Sequence, residues 1–147
     1  TMALHRQIYA AACEHDAHTR CVIHTHSTHA VALSLNAPGP ELLPPITPYF
    51  VMKVGHVPLV RYHRPGSPDA AQEVAELIRQ YAAHGTPIRA VMLTRLGPNV
   101  WHDTPAAAMA TLEELEETAR LMLLQPGTPA LQAHEIDDLR QTFGARW

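Results

Sequence analysis

Arg20-Cys-Val-Ile-His-Thr-His-Ser-Thr-His29 is the stretch that decides how this chain is read. The β-branched pair Val22 and Ile23, with small Cys21 beside them, predicts a short strand over Arg20 to His26. Residues i and i+2 of a strand share a face, about 6–7 Å apart along the chain. His24 and His26 therefore stand where two imidazoles can converge on one ion. Neutral imidazole suits zinc and other divalent first-row metals. The chain holds 11 His in 147 residues, so two surface histidines are the competing reading of the same pair.

Working outward, the pattern alternates helix and strand. Leu4, Ile8, Ala11 and Ala12 form a helical stripe over Met2 to Glu14. Ser27 is the expected N-cap of a short helix ending near Leu35. Asn36 to Pro48 is rich in Pro and Gly and reads as a loop, yet Leu42 and Leu43 predict that it packs down. Tyr49 to Val54 fits helix or strand. Val57 to Tyr62 reads as a strand whose Pro58 argues for an edge. After the turn His63 to Asp69, a helix is expected over Ala70 to His84 with Gly85 as its stop. Ile88 to Thr94 and Asn99 to His102 form a hairpin around Arg95-Leu-Gly-Pro98. A long helix follows Asp103 or Thr104, with Pro105 in its first turn and a stripe of Met109, Leu112, Leu115, Ala119 and Met122. A last helix spans about Ala133 to Phe143.

Length and composition narrow the function. At 147 residues the chain is one domain, 1–147, large enough for a single core. A net charge of −3 gives no basic field for nucleic acid. No apolar run reaches the ~20 residues of a membrane span. Cys13 and Cys21 form no spaced framework and read as two reduced, buried thiols of a cytoplasmic protein. Few strands among many helices predict a layered α/β or α+β domain.

Four segments together resemble the class II aldolase/adducin family, above all its 3-oxo-tetronate 4-phosphate decarboxylases. They are His24 to His29, Leu43 to Gly55, Val57 to Gly66 and Leu112 to Leu121. The resemblance implies a three-layer α/β/α sandwich around a largely antiparallel sheet, with the family's N-terminal third absent here. It implies a homotetramer with active sites between subunits, and a divalent metal, usually zinc, held by three histidines. The implied activity is that of a lyase on phosphorylated sugar acids, by decarboxylation or retro-aldol cleavage through an enediolate. On this match His24 and His26 are metal ligands. Tyr49 takes the place of a catalytic tyrosine that reaches a neighbouring subunit's site; a core aromatic is the other reading. Arg95, on the hairpin tip, and Ser27, beside the pair, are candidate substrate contacts.

Two positions depart from the family's pattern. Leu96 stands where the third histidine is expected, just before Gly97. Thr1 stands where an acid/base carboxylate is expected, four residues before His5. These departures keep a second reading open: a catalytically degenerate, adducin-like oligomerising or ligand-binding domain. His5, one helical turn from Thr1, shares its helix face and either points into the site or simply packs. Arg61, His63 and Arg64 read as an anion site or a solvated turn, and Glu113, Glu114, Glu116 and Glu117 as a solvated helix face.

Overall fold

A computed structural model describes residues 1–37 and 39–147; Pro38, within the expected proline-rich loop, lies outside the described residues. Along the chain run α1 (Met2–Cys13), β1 (Cys21–His24), α2 (Thr28–Ser34), α3 (Pro48–Lys53) and β2 (Leu59–Val60). They are followed by α4 (Pro68–Ala83), β3 (Ala90–Leu93), β4 (Gly97–His102), α5 (Pro105–Leu124) and α6 (Ala133–Phe143). The strands form one sheet in the order β1-β4-β3-β2. The β1–β4 and β3–β4 pairings are antiparallel and β2–β3 is parallel. The sheet is thus mixed but largely antiparallel, and β2 is an edge strand, as Pro58 requires.

Both faces of the sheet are covered. Ile8, Ala11 and Ala12 of α1 and Val74, Ala75 and Ile78 of α4 pack on Val91, Leu93 and Trp101. Ala30 of α2, Phe50 of α3 and Leu112, Leu115 and Ala119 of α5 pack on Ala90, Met92 and Val100. Alternation along β4 sorts the faces: Trp101 and Asn99 look toward α1 and α4, and Val100 looks the other way. This is the three-layer sandwich expected from the sequence.

The helix and strand boundaries follow local chemistry. The Tyr49 region is helical because Thr47 caps it, accepting from Phe50 N–H at 3.1 Å, with Pro48 in the first turn. Thr104 caps α5 in the same way, accepting from Ala107 N–H at 3.1 Å. The loop before α3 does pack down: Leu42 N–H donates to Val57 at 2.9 Å and Leu59 N–H to Pro40 at 2.8 Å. Leu42 and Leu43 are buried.

Four expectations change. Met109 is exposed, because it lies off the arc of α5 that carries Leu112 and Leu115. Cys13 is exposed, since α1 turns that flank outward. Glu116 is not part of a solvated face. Its Oε1 accepts from His29 N–H at 2.6 Å, Ala30 N–H at 3.2 Å and the His29 ring Nδ1–H at 2.9 Å. Ser27 occupies the N-cap position of α2 without capping it; its hydroxyl pairs with Thr25 Oγ1 at 2.6 Å. A carboxylate from α5 therefore satisfies the first turn of α2, where negative charge is favourable.

Backbone meets backbone closely between the β3–β4 hairpin and the exit of β1. Gly97 has φ +142°, and a Cβ there would sit 1.8 Å from the Thr25 carbonyl oxygen. Gly97→Ala is expected to lower stability by about 3 kcal/mol or more, since backbone rather than a flexible side chain must yield. Glu116→Gln, which weakens a cap while preserving shape, is expected to cost about 1 kcal/mol. Urea denaturation of both variants checks the order; a Gly97→Ala protein as stable as the parent would contradict the packing described.

Candidate active-site cleft

β1 ends at His24, and the antiparallel register sets His24 opposite Asn99 of β4. Directly opposed residues share a face, so both side chains look toward the α1/α4 layer. His24 Nδ1–H donates to the Pro98 carbonyl at 2.9 Å, which leaves Nε2 as the free lone pair. The same carbonyl accepts from Thr25 N–H at 3.3 Å. His26 lies two residues further on, with ring centroids 5.2 Å apart and the rings edge to face at 72°. Only His24 belongs to the strand; the chain leaves the ladder before His26.

These rings line a cleft of about 160 Å³. Its wall on one side is α1, through Thr1, Leu4 and His5. The Arg64–Ser67 turn, Ala70 in the first turn of α4, Leu96 and Asn99 also line it. His5 therefore does enter the histidine cleft, on the helix face it shares with Thr1. Burial lowers the His5 and His24 pKa values below 6.5, so both imidazoles favour the neutral form that coordinates metal.

The donor set decides what kind of metal site fits. An imidazole whose Nδ1–H is fixed by a carbonyl presents Nε2 in the manner of metal-bound histidines. His24 meets that condition, and His26 stands beside it. Leu96, apolar, occupies the rim where a third imidazole is expected. Among the described residues no group of three His, Cys, Asp or Glu side chains is placed to hold an ion. The residues present fit a two-imidazole site that leaves several coordination positions open, and not a closed three-histidine centre.

The other expected site residues lie elsewhere in this chain. Tyr49 is on α3 in the opposite layer, 58% exposed, with Lys53 Nζ 5.3 Å from its ring centroid. It is therefore not a core aromatic. Ser27 lines a separate groove against α5, with Thr25 and Glu113. Arg95 sits at the hairpin tip with φ +70°, its N–H bonded to Ser34 Oγ at 3.0 Å, and does not line the histidine cleft. His29 turns to Glu116 and away from the cleft.

Arg64, and not Arg95, lines the histidine cleft. Its neighbours Arg61 and His63 are committed to Glu73, at 2.9 and 3.0 Å, and this pins the turn to α4. The sequence marks Arg64 only by its proximity to Pro65-Gly66, and it takes the fold of the turn to aim that position at the cleft. Asn99 is the residue that pattern reading passes over. It is fully buried, with neither amide atom hydrogen-bonded, and the only local signal is a polar residue inside an apolar strand.

The chain matches the family described as Class II Aldolase and Adducin N-terminal domain over residues 1–123. It is 45% identical to the 3-oxo-tetronate 4-phosphate decarboxylase of Cupriavidus necator, covering 100% of this chain and 66% of that protein. The crystal structure of YgbL from Klebsiella pneumoniae superposes with a TM-score of 0.80 at 36% identity, covering 95% of this chain and 64% of that one. The L-fuculose-1-phosphate aldolase of Thermus thermophilus gives a TM-score of 0.65 at 26% identity, over 88% of this chain and 65% of that one. In each case the chain spans just under two-thirds of its relative.

Burial of neutral imidazoles has a consequence for stability. His5, His24 and His102 all have pKa values lowered from 6.5, chiefly by burial, so the unfolded chain binds their protons more readily. Stability from this source is complete above pH 6.5 and is lost as pH falls through the depressed folded values. In chelator-treated protein the thermal midpoint is expected to fall from about pH 7.5 to about pH 5.5, with a shallower slope in His24→Gln. A midpoint that rises over that interval would contradict neutral burial.

Proposed function

The chain belongs to the class II aldolase and adducin family, and on that premise we propose that it forms part of a metal-dependent lyase acting on phosphorylated sugar acids. In this reading residues 1–147 are the later two-thirds of one domain. The reaction is decarboxylation of a 3-oxo-tetronate 4-phosphate, the activity named for the Cupriavidus relative. The observation that carries the reading is the His24/His26 pair, with His24 oriented by the Pro98 carbonyl at the floor of a cleft.

In this proposal His24 Nε2 and His26 hold a divalent ion, with zinc as the first candidate. When bound, such an ion supplies Lewis-acid stabilisation of negative charge on oxygen. The chain's own residues do the rest. Leu4 and Leu96 give the cleft apolar walls that limit water. A carboxylate β to a ketone leaves as CO₂, and the electron pair it leaves behind passes toward the ketone oxygen. One proton added at the carbon that bore the carboxylate then yields dihydroxyacetone phosphate. The substrate enters this step already ionised and needs no base to start it. Thr1, where the family pattern expects a carboxylate, therefore weighs less against decarboxylation than against aldol cleavage.

The final proton needs a donor, and Tyr49 is the candidate. It is exposed on the far layer of this chain, which suits a phenol that serves a neighbouring copy in a homotetramer. Arg95 and Ser27 lie outside this chain's own histidine cleft, so any contact they make with substrate is assigned to a neighbour's site. A cytoplasmic location accords with two free cysteines.

A second reading rests on Leu96 and Thr1: an adducin-like domain that keeps the fold and binds ligand or copies of itself without turnover. Metal analysis separates the two. Protein purified without a histidine tag is expected to carry about one divalent ion per chain, with affinity falling roughly 100-fold or more in His24→Ala. Release of CO₂ from 3-oxo-tetronate 4-phosphate is expected to fall in step. Absence of bound metal, together with no CO₂ release in added zinc or manganese, would overturn the lyase and leave the binding domain.

A further inference from the structure

The floor of the histidine cleft carries polar atoms that the lyase reading leaves unused. Asn99 is 0% exposed, and neither Oδ1 nor Nδ2 makes a hydrogen bond of ordinary geometry, although the His5 imidazole lies near enough to interact with the amide. His5 Nε2 is buried beside them in the same condition. A buried amide without partners is costly, and such groups in folded proteins usually meet a ligand or water. Val91 and His24 are the cross-strand neighbours of Asn99, so its side chain stands on the cleft face of the sheet.

The rim is complementary. Arg64 is exposed and, among the described residues, enters no ion pair, whereas Arg61 and His63 beside it are taken up by Glu73. Ser67 is the N-cap residue of the 16-residue helix α4, and its hydroxyl makes no capping bond. Ser67 and Ala70 bring the positive end of that helix to the cleft wall. A volume of about 160 Å³ is small beside the roughly 300–1,000 Å³ of pockets for drug-sized ligands.

We propose that Asn99 and Arg64 are ligand-binding residues of this cleft, together recognising a small hydroxy-acid anion. Arg64, with the start of α4 behind it, takes the oxyanion by charge-assisted hydrogen bonds. Asn99 takes adjacent hydroxyls, donating from Nδ2 and accepting at Oδ1, and His5 Nε2 adds a third polar contact. The oxyanion is a carboxylate or a phosphate, which share this chemistry. The assignment rests on the cleft being the substrate site and is independent of whether a metal is held there.

Titration calorimetry on chelator-treated protein tests it with three probes: threonate, threonate 4-phosphate and inorganic phosphate. Threonate 4-phosphate is expected to bind, with affinity lowered about tenfold in Asn99→Val and about tenfold in Arg64→Gln. Arg64 is exposed, so Arg64→Gln keeps the test open even if Asn99→Val alters folding. Binding of threonate that weakens in Arg64→Gln assigns the rim to carboxylate; binding of inorganic phosphate that weakens there assigns it to phosphate. Parental affinity in both variants, or no binding of any probe, would overturn the proposal. Metal binding at His24 and CO₂ release, measured separately, distinguish the readings: absence of both with probe binding intact removes the lyase and leaves this cleft assignment standing.

Discussion

The site depends on one backbone contact, the approach of Gly97 to Thr25. A single Cβ at Gly97 would lie 1.8 Å from the Thr25 oxygen, so the two chain segments meet there as closely as bare backbone allows. The contact brings the Pro98 carbonyl within reach of both Thr25 N–H and His24 Nδ1–H. His24 is thereby held in one ring orientation and one tautomer. His26, just outside the ladder, takes its place from the same exit of the chain. A hairpin tip on one strand pair thus fixes the chemistry at the end of another.

The cleft is a junction of elements far apart in sequence. α1 and α4 pack on each other and on one face of the sheet, and the cleft opens where their ends flank β1 and β4. Its contents are uneven. Two imidazoles, of which His24 is oriented by the Pro98 carbonyl, line it together with a buried amide, an exposed guanidinium and the apolar Leu96. Such a mixture leaves coordination positions open and leaves hydrogen-bonding groups without protein partners. Both features mark a surface arranged for something other than its own packing.

Much of the architecture was legible in residue pattern. The stripe Ile8, Ala11, Ala12, the apolar run into the Gly97 hairpin and the Thr104-Pro105 helix start all appear where periodicity and capping chemistry place them. The short segment from Tyr49 was ambiguous because six residues show neither period convincingly; Thr47 and Pro48 decide it as a helix start. Met109 failed because two successive three-residue steps separate it from Leu115, which at 3.6 residues per turn sets the two about 120° apart around α5 and off the buried arc. Glu116 failed because its partner, the first turn of α2, lies 86 residues away in the chain. No local rule connects an acidic run to a distant helix end.

The sequence by itself determined the alternation of helices and strands, the family, and the His24-Thr-His26 spacing, because these reside in nearest neighbours and in residue identity. It also determined what is missing, since Leu96 cannot donate a lone pair. Only the tertiary structure decided which side chains share the cleft. It brought in His5, Arg64 and Asn99, and set Arg95, Ser27 and Tyr49 elsewhere in the chain. The reason is geometric: a side chain's direction depends on strand register, turn conformation and the helix packed against it. Those are settled by long-range burial and close backbone approach, which no window of sequence contains.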